Sequence, residues 1–506
     1  MNDNLNANFP ENSDSQKQIP VKAQNLMPEP ELELERQKIF AERVRAVNLE
    51  KQKQLSHAPR AYILTFGCQQ NEADSERLMG QAEIMGYEKT EAAENADLII
   101  YNTCAVREHA ELRALSRTGA LKSLKESNPG LIIGLWGCMV TQDHRMNDVK
   151  KSYPYVDFVA GTNMLHRLPE IICDVVESGR RRYYVTDEQP LTVEGVPVRR
   201  ENDLKAYVSI MYGCNNFCTY CVVPYVRGRE RSRESKYIID EVKQLVADGC
   251  RDITLLGQNV NSYCGKGENG EKDIGFAELL RRICDIDGDF TLRFMTSHPK
   301  DASDELIGLI AETPKLARHF HLPMQSGSSE ILRRMNRKYT AEQFTQLALK
   351  IKERIPGIAV TTDIIVGFPG ETEEDFGQTL EAVRKIRFDS IYAFIYSPRV
   401  GTPAAKMDDP VTKEEKTARM SRLLALQTEI SAQINAEFVG KTVTARCDSK
   451  VPLENGLYSA KTTQNKTVFF EVPENCNIDE FYGKNIKAEI NRSTPAQLYG
   501  KLVGQS

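Results

Sequence analysis

Residues 207–221 read YVSIMYGCNNFCTYC, a short apolar run of β character that ends in Gly213 and opens a loop carrying Cys214, Cys218 and Cys221. Five further runs of the same kind follow: ITLLGQNV (253–260), LRFMTSH (292–298), HFHLPMQS (319–326), AVTTDIIVGF (359–368) and SIYAFIYSP (390–398). Helix-compatible segments separate them. Strands alternating with helices dictate parallel pairing, and six βα repeats suit a barrel or partial barrel. Such a barrel carries its site at the carboxyl ends of the strands. The polar residues expected there are Gln258, Asn259, Ser297, His298, Gln325 and Ser326.

Amino-terminal to this series stand AYILTFGC (61–68), DLIIYNTC (97–104) and LIIGLWGC (131–138), with helix-compatible stretches between them. They predict an open parallel α/β sheet, and Cys68, Cys104 and Cys138 each fall at the carboxyl end of a strand. Ligands bind along that edge of an open α/β sheet. A Pro-, Gly- and charge-rich stretch over 185–203 reads as a linker. Beyond a helix over 423–438, five close-set runs from TVTARC to LYGKLV alternate apolar and polar residues. They predict a small all-β barrel of five strands. Residues 1–58 read as a flexible polar extension that includes an exposed helix over 29–54. The expected organisation is therefore 1–58 (extension), 59–180 (α/β sheet), 200–433 (partial barrel) and 436–503 (β module).

Composition bounds the function. At roughly 150 residues per domain, 506 residues suit about three domains. Hydrophobic residues at 41% and charged residues at 27% exclude disorder for most of the length. The net charge of −5 leaves no global basic footprint, so a nucleic acid must be held by local patches. No run is apolar for long enough to span a membrane, and the polar first twenty residues lack a secretory h-region. Twelve cysteines in a chain of that kind point to cytoplasmic metal or redox chemistry rather than disulfides.

The spacing Cys214-x3-Cys218-x2-Cys221 is the strongest chemical signal. A cube-type iron–sulfur cluster takes a thiolate on each iron, so three cysteines in one loop leave one iron open to a small molecule. A structural zinc site, which wants four protein ligands, and a plain electron-transfer cluster are the competing readings. At the end of the first strand of a βα barrel, with Tyr220 before the last cysteine, the motif resembles the radical S-adenosylmethionine (SAM) superfamily. The two cysteine trios, the partial barrel and the β module together resemble the methylthiotransferases, from about Ala61 to the end of the chain. GCQQNEADSE (67–76), NTCAVREHA (102–110), WGCM (136–139), VVPYVRGRERSR (222–233) and GQNVNSY (257–263) look like the MiaB-type branch, the tRNA 2-methylthio-N6-dimethylallyladenosine synthases. Gln70 departs from that pattern, standing where the family commonly carries Met.

The resemblance implies three named units: an amino-terminal methylthiotransferase domain, a radical SAM core and an RNA-binding TRAM domain. It implies a 4Fe–4S cluster with SAM on Cys214, Cys218 and Cys221. An auxiliary 4Fe–4S cluster is implied on Cys68, Cys104 and Cys138. The implied reaction puts a methylthio group on C2 of N6-dimethylallyladenosine at position 37 of tRNA, consuming two SAM. Its implied setting is the cytoplasm, with a tRNA anticodon loop as substrate, an electron-donor protein, a sulfur or cluster carrier and a monomeric enzyme. No catalytic side chain beyond the ligands is singled out. The alternatives are methylthiolation of threonylcarbamoyladenosine, methylthiolation of a ribosomal protein, and a non-catalytic iron–sulfur RNA-binding protein.

Weaker signals are read as follows. GKGENG (265–270) matches a dinucleotide pattern but lacks the strand–helix context, and is a surface loop. The turn in DIIVGFPGET (363–372) explains Gly367, Pro369 and Gly370, with SAM contact as the competing role. Arg227, Arg229, Arg231 and Arg233 at alternate positions suit either a solvated face or phosphate contact, as does LRRMNRKY (332–339). Lys441, Arg446, Lys461, Lys466 and Lys487 of the β module are matched by acids. Cys173, Cys250 and Cys284 read as buried small hydrophobes, and Cys264, Cys447 and Cys476 have no partners at ligand spacing.

Overall fold

In the computed structural model, residues 29–185, 191–268, 271–453, 456–473 and 476–505 are described. The tail expected over the first thirty residues lies almost wholly outside them. Helix α1, Glu29–Leu55, follows. Its buried residues Gln37, Ala41, Val44 and Asn48 form one stripe along the helix. Half of that stripe is polar, which is why the segment read as exposed. The expected flexible extension is corrected for residues 29–55: the helix docks. Gln37 donates to Glu170 at 3.1 Å and Asn48 to the Met85 carbonyl at 2.9 Å.

The amino-terminal sheet has six parallel strands: β1 Arg60–Thr65, β2 Glu88–Lys89, β3 Leu98–Thr103, β4 Ile132–Gly137, β5 Phe158–Ala160 and β6 Arg182–Tyr184. Their order is β2-β1-β3-β4-β5-β6. Every residue of β3 and β4 is buried, as expected for a sheet covered on both faces. Three of the strands were not expected. β2, β5 and β6 are two or three residues long, too short to show any alternation, and β6 carries the sheet past the expected limit at 180. Helices α2 (Gln69–Ile84) and α3 (Glu108–Ser127) follow β1 and β3.

The second series supplies β7 Lys205–Ser209, β8 Asp252–Leu256, β9 Thr291–Phe294, β10 His319–His321, β11 Ala359–Val366 and β12 Ser390–Ile395. They form two three-stranded parallel halves, β9-β8-β7 and β10-β11-β12. A single parallel bridge, Leu292 to Leu316, lies beside β9. The outer face is apolar: Ile253, Leu255, Leu292, Phe294, Phe320 and Val360 join one core with the surrounding helices. Alternation then leaves Asp252, Arg293, His319, His321 and Thr361 on the other face.

Strands β13 Thr442–Cys447, β14 Tyr458–Thr462, β15 Thr467–Glu471, β16 Asn485–Ser493 and β17 Leu498–Gln505 close into a barrel in the order β13-β14-β15-β17-β16. This module sits on the amino-terminal ends of the larger barrel's strands. Arg293 pairs with Asp252 at 2.9 Å and donates to the carbonyl of Thr462 at 3.1 Å. Arg446 pairs with Asp289 at 2.8 Å, Lys466 with Asp389 at 2.9 Å and Lys205 with Asp448 at 2.6 Å. Arg446 and Lys466 are thus matched by acids, but acids of the larger barrel. No helix among the described residues is long and apolar enough to cross a membrane.

Because Arg293 and Asp252 are both buried, Arg293→Met strands an unpaired carboxylate and should cost on the order of 3 kcal/mol. The expected outcome is a lower melting midpoint for the full chain, largely restored when Asp252→Asn is added. An unchanged midpoint in the single variant would show that the pair does not hold the base of the barrel.

Candidate functional site

The loop after β7 is built around its backbone. Gly213 has φ +73°, and a Cβ there would lie 2.1 Å from the Arg229 carbonyl oxygen, so only glycine fits. The Cys214 amide donates to the Gly228 carbonyl at 3.2 Å. From the other side, the stretch LRRMNRKY grips the loop. Asn336 donates to the Phe217 carbonyl at 2.9 Å, and the Thr219 amide and hydroxyl donate to the Met335 and Arg334 carbonyls. Arg337 is buried and donates to Cys218 Sγ at 3.3 Å. Its other N–H groups reach the Pro323 carbonyl at 3.0 Å and the Tyr339 hydroxyl at 2.8 Å. That Arg337 holds a cysteine, rather than solvent or phosphate, was not legible from a run of basic residues.

The amino-terminal trio follows β1, β3 and β4, which are neighbours in the sheet. The strand order reverses between β1 and β3, and a crevice opens at such a switch point. Cys68 caps α2, Cys104 follows β3 directly, and Cys138 opens the short helix α4, Cys138–Thr141. A Cβ on Gly67 would lie 2.8 Å from the Cys104 Cβ. Gly137 has φ +99°, and a Cβ there would meet the Thr103 carbonyl oxygen at 2.5 Å. Asn71 fastens the first two loops, donating to Asn102 at 3.0 Å and to the Thr103 carbonyl at 2.9 Å. The sequence reading missed Asn71, whose signal is its place three residues after Cys68, in the first turn of α2.

At Cys138 the amino-terminal sheet meets the loop that follows Cys221. Cys138 packs with Ala105, Val222 and Val226, and Val222 directly follows Cys221. Arg227, also buried, pairs with Asp74 of α2 at 2.8 Å. At the far end of the arginine row, Arg233 is buried between Glu194 at 2.6 Å and Glu241 at 2.8 Å. Arg229 lies over the Phe217 ring at 4.3 Å, and Arg231 donates to the Arg229 carbonyl. Both readings of this row are corrected at Arg227 and Arg233, which are buried in ion pairs, Arg227 across the domain interface and Arg233 between the linker and the barrel.

At the strand ends, Gln258 Oε1 and Asn259 Oδ1 are buried without a hydrogen-bond partner, while Asn259 donates to Asp301 at 2.8 Å. Ser297 donates to the His321 carbonyl, and His298 accepts from the Lys300 amide at 3.2 Å. Ser326 lies against Thr379, and Gln325 holds φ +71° beside β11. Glu371 takes up the Gly367 amide at 2.8 Å and donates its own amide to the Phe368 carbonyl at 2.8 Å, which closes the Gly-Phe-Pro-Gly turn.

The thiols fit a positively charged inorganic group. Burial pushes Cys214 and Cys138 up, and burial with the neighbouring Cys218 pushes Cys221 up to about 12. Cys68 moves the other way, to about 6, chiefly through its hydrogen bond with Cys104, which is pushed up in turn. Among the described residues no three His, Cys, Asp or Glu side chains converge as a single ion requires. A cube cluster asks for something else, one thiolate on each of three irons. All twelve cysteines are free of disulfides. Cys173, Cys250, Cys284 and Cys447 are buried, and Cys264 is exposed.

Comparison with known proteins shows the family. The Radical SAM superfamily matches residues 208–383, and an uncharacterized protein family, UPF0004, matches residues 60–161. The tRNA-2-methylthio-N(6)-dimethylallyladenosine synthase of Alkaliphilus oremlandii is 50% identical over 87% of this chain and 92% of its own. The synthase of the same name from Acetivibrio thermocellus is 46% identical over 95% of this chain and 98% of its own. In fold, the chain is similar to the radical S-adenosylmethionine methyltransferase TsrM from Kitasatospora setae, with cobalamin and a [4Fe-4S] cluster bound. That match has a TM-score of 0.51 and 15% identity, and covers 69% of this chain and 74% of that one. With a relative 50% identical over 441 residues, 87% of its length, the chain belongs to the tRNA-2-methylthio-N(6)-dimethylallyladenosine synthase family of radical SAM enzymes.

Proposed function

We propose that this chain transfers a methylthio group to C2 of N6-dimethylallyladenosine at position 37 of tRNA. The observation that supports the reading is the apolar cluster that Cys138 shares with Val222 and Val226, next to Cys221. Cys214, Cys218 and Cys221 would hold a 4Fe–4S cluster with SAM, and Cys68, Cys104 and Cys138 a second one. When bound, the first supplies the electron that cleaves SAM and the second supplies sulfur, because acid–base chemistry cannot remove an unactivated C–H hydrogen. Two SAM would be used in each turnover, one as methyl donor and one as radical source.

The chain's own residues do the positioning. Arg337 donates to Cys218 Sγ and orients that side chain. Arg227, tied to Asp74, spans the gap between the post-Cys221 loop and α2. The orphaned oxygens of Gln258 and Asn259 are acceptors available to a ligand at the barrel mouth. An anticodon-loop base is already unpaired, so it can be turned into that mouth without melting a duplex.

For the β module, an RNA-binding (TRAM) role is supported by one face. The Arg492 guanidinium lies over the Tyr499 ring at 3.8 Å, and the Phe469 ring lies tilted beside Tyr499 at 5.6 Å, an aromatic and basic group of the kind that unstacked bases bind. We assign the functional units as 59–180, extended to Tyr184, then 200–433 and 436–503. The enzyme would act as a cytoplasmic monomer, reduced by an electron-donor protein and resupplied by a sulfur or cluster carrier.

The test uses anaerobically reconstituted protein, tRNA carrying dimethylallyladenosine, and three readouts: iron, 5′-deoxyadenosine and methylthiolated product. Replacing Cys68, Cys104 and Cys138 with Ala should halve the iron and abolish product while 5′-deoxyadenosine still forms. Product from that variant would overturn the division of labour. Activity on tRNA carrying threonylcarbamoyladenosine alone would replace the substrate.

Gly213→Ala should lose the other half of the iron, because the new Cβ collides with the Arg229 carbonyl and the positive φ is strained. Full iron content, with normal 5′-deoxyadenosine formation, would show that the loop does not depend on this glycine.

A further inference from the structure

A groove of about 430 Å3 runs between β1 and α3 and ends at Gly67, Cys68 and Cys104. Tyr62 and Leu64 form its half-buried floor, and Arg107, His109, Arg113 and Arg117 line it from above. All four basic side chains are exposed, and among the described residues none of the three arginines has an ion-pair partner. The acids of α3 near this end point elsewhere. Glu108 accepts from Ser397 at 2.9 Å, and Glu111 is buried with Arg145 at 2.8 Å.

Two further contacts join the groove to the barrel mouth. Arg107 lies over the Phe394 ring at 5.3 Å, and Arg399 donates to the Val106 carbonyl at 2.9 Å. A ligand in the groove therefore passes the thiols and continues toward the end of β12. Arg113 and Arg117 are one helical turn apart, about 6 Å along the axis. That step is close to the distance between successive phosphates of an RNA strand. Three unpaired arginines in a protein of net charge −5 form the local patch that phosphate binding requires.

We propose that this groove holds the sugar–phosphate backbone of the RNA substrate, with Arg113 and Arg117 on adjacent phosphates and Tyr62 as a surface for a base. The proposal rests on the reading of the substrate as tRNA and goes beyond it, since it puts RNA contact on the amino-terminal sheet domain. Phosphate contacts fix register without reading sequence, so the groove would set which nucleoside stands opposite Cys68.

The experiment compares binding of an anticodon stem-loop RNA carrying dimethylallyladenosine, across a salt series, by four reconstituted full-length proteins. These are the wild type, Arg113→Glu/Arg117→Glu, Arg113→Lys/Arg117→Lys, and the control Lys151→Glu/Arg180→Glu. The control makes the same charge change on exposed residues of the same domain outside the groove. The expected result is at least a tenfold loss of affinity in the groove reversal. Its log–log salt slope should be shallower by about 1.4 to 1.8, two phosphate contacts' worth. The lysine pair should stay close to wild type, and the control should lose far less than the reversal. If the reversal and the control lose affinity equally, the groove is not where RNA lies, and the tRNA reading stands. If wild-type protein binds no RNA, that reading falls and the groove proposal with it.

Discussion

The ion pair between Arg227 and Asp74 is the contact on which the rest of the site depends. It is buried on both sides and joins the loop after Cys221 to the helix that begins beside Cys68. Around it, Gln70 donates to Ser209 at 2.8 Å and to Asp74 at 3.1 Å, and Arg77 donates to the same serine at 3.2 Å. A buried network of this kind tolerates one arrangement, because each displaced group leaves a desolvated charge behind. An apolar interface of similar area would let the two sheets slide. This one fixes the distance between two sets of thiols that lie more than seventy residues apart in the chain.

Arginine does this work in three places. Arg227 spans the two sheets, Arg337 spans the cysteine loop and the strand end at Pro323, and Arg293 spans the barrel base and the β module. A planar fork with five donors can satisfy a carboxylate, a carbonyl and a sulfur at once while remaining charged. Lysine, with a single ammonium head, cannot bridge two walls in that way. The price is that each arginine is indispensable to the groups it satisfies.

Much of this was legible in the sequence, for identifiable reasons. Apolar runs that ended in a cysteine announced themselves as strands, and three of them proved to be neighbours, which brings Cys68, Cys104 and Cys138 to one edge. The five alternating runs after residue 438 closed into the expected barrel. What could not be read was sidedness in irregular chain. Arg227 to Arg233 alternate like a strand, yet only Arg231–Ser232 pair as one, so spacing could not say which guanidinium faces inward. The helix of residues 29–55 was expected but its docking was not, since its contact stripe uses Gln37 and Asn48 in place of apolar residues. Gln70, a departure from the family pattern beside a ligand, is a component of the interface network.

The position of the β module has a kinetic meaning. Thr462, Thr463 and Lys466 cover the barrel at its amino-terminal end, opposite the cysteines. A small molecule and a macromolecule that both use the cysteine end then share one doorway. Along that route, exchange of the small ligand is tied to residence of the large one.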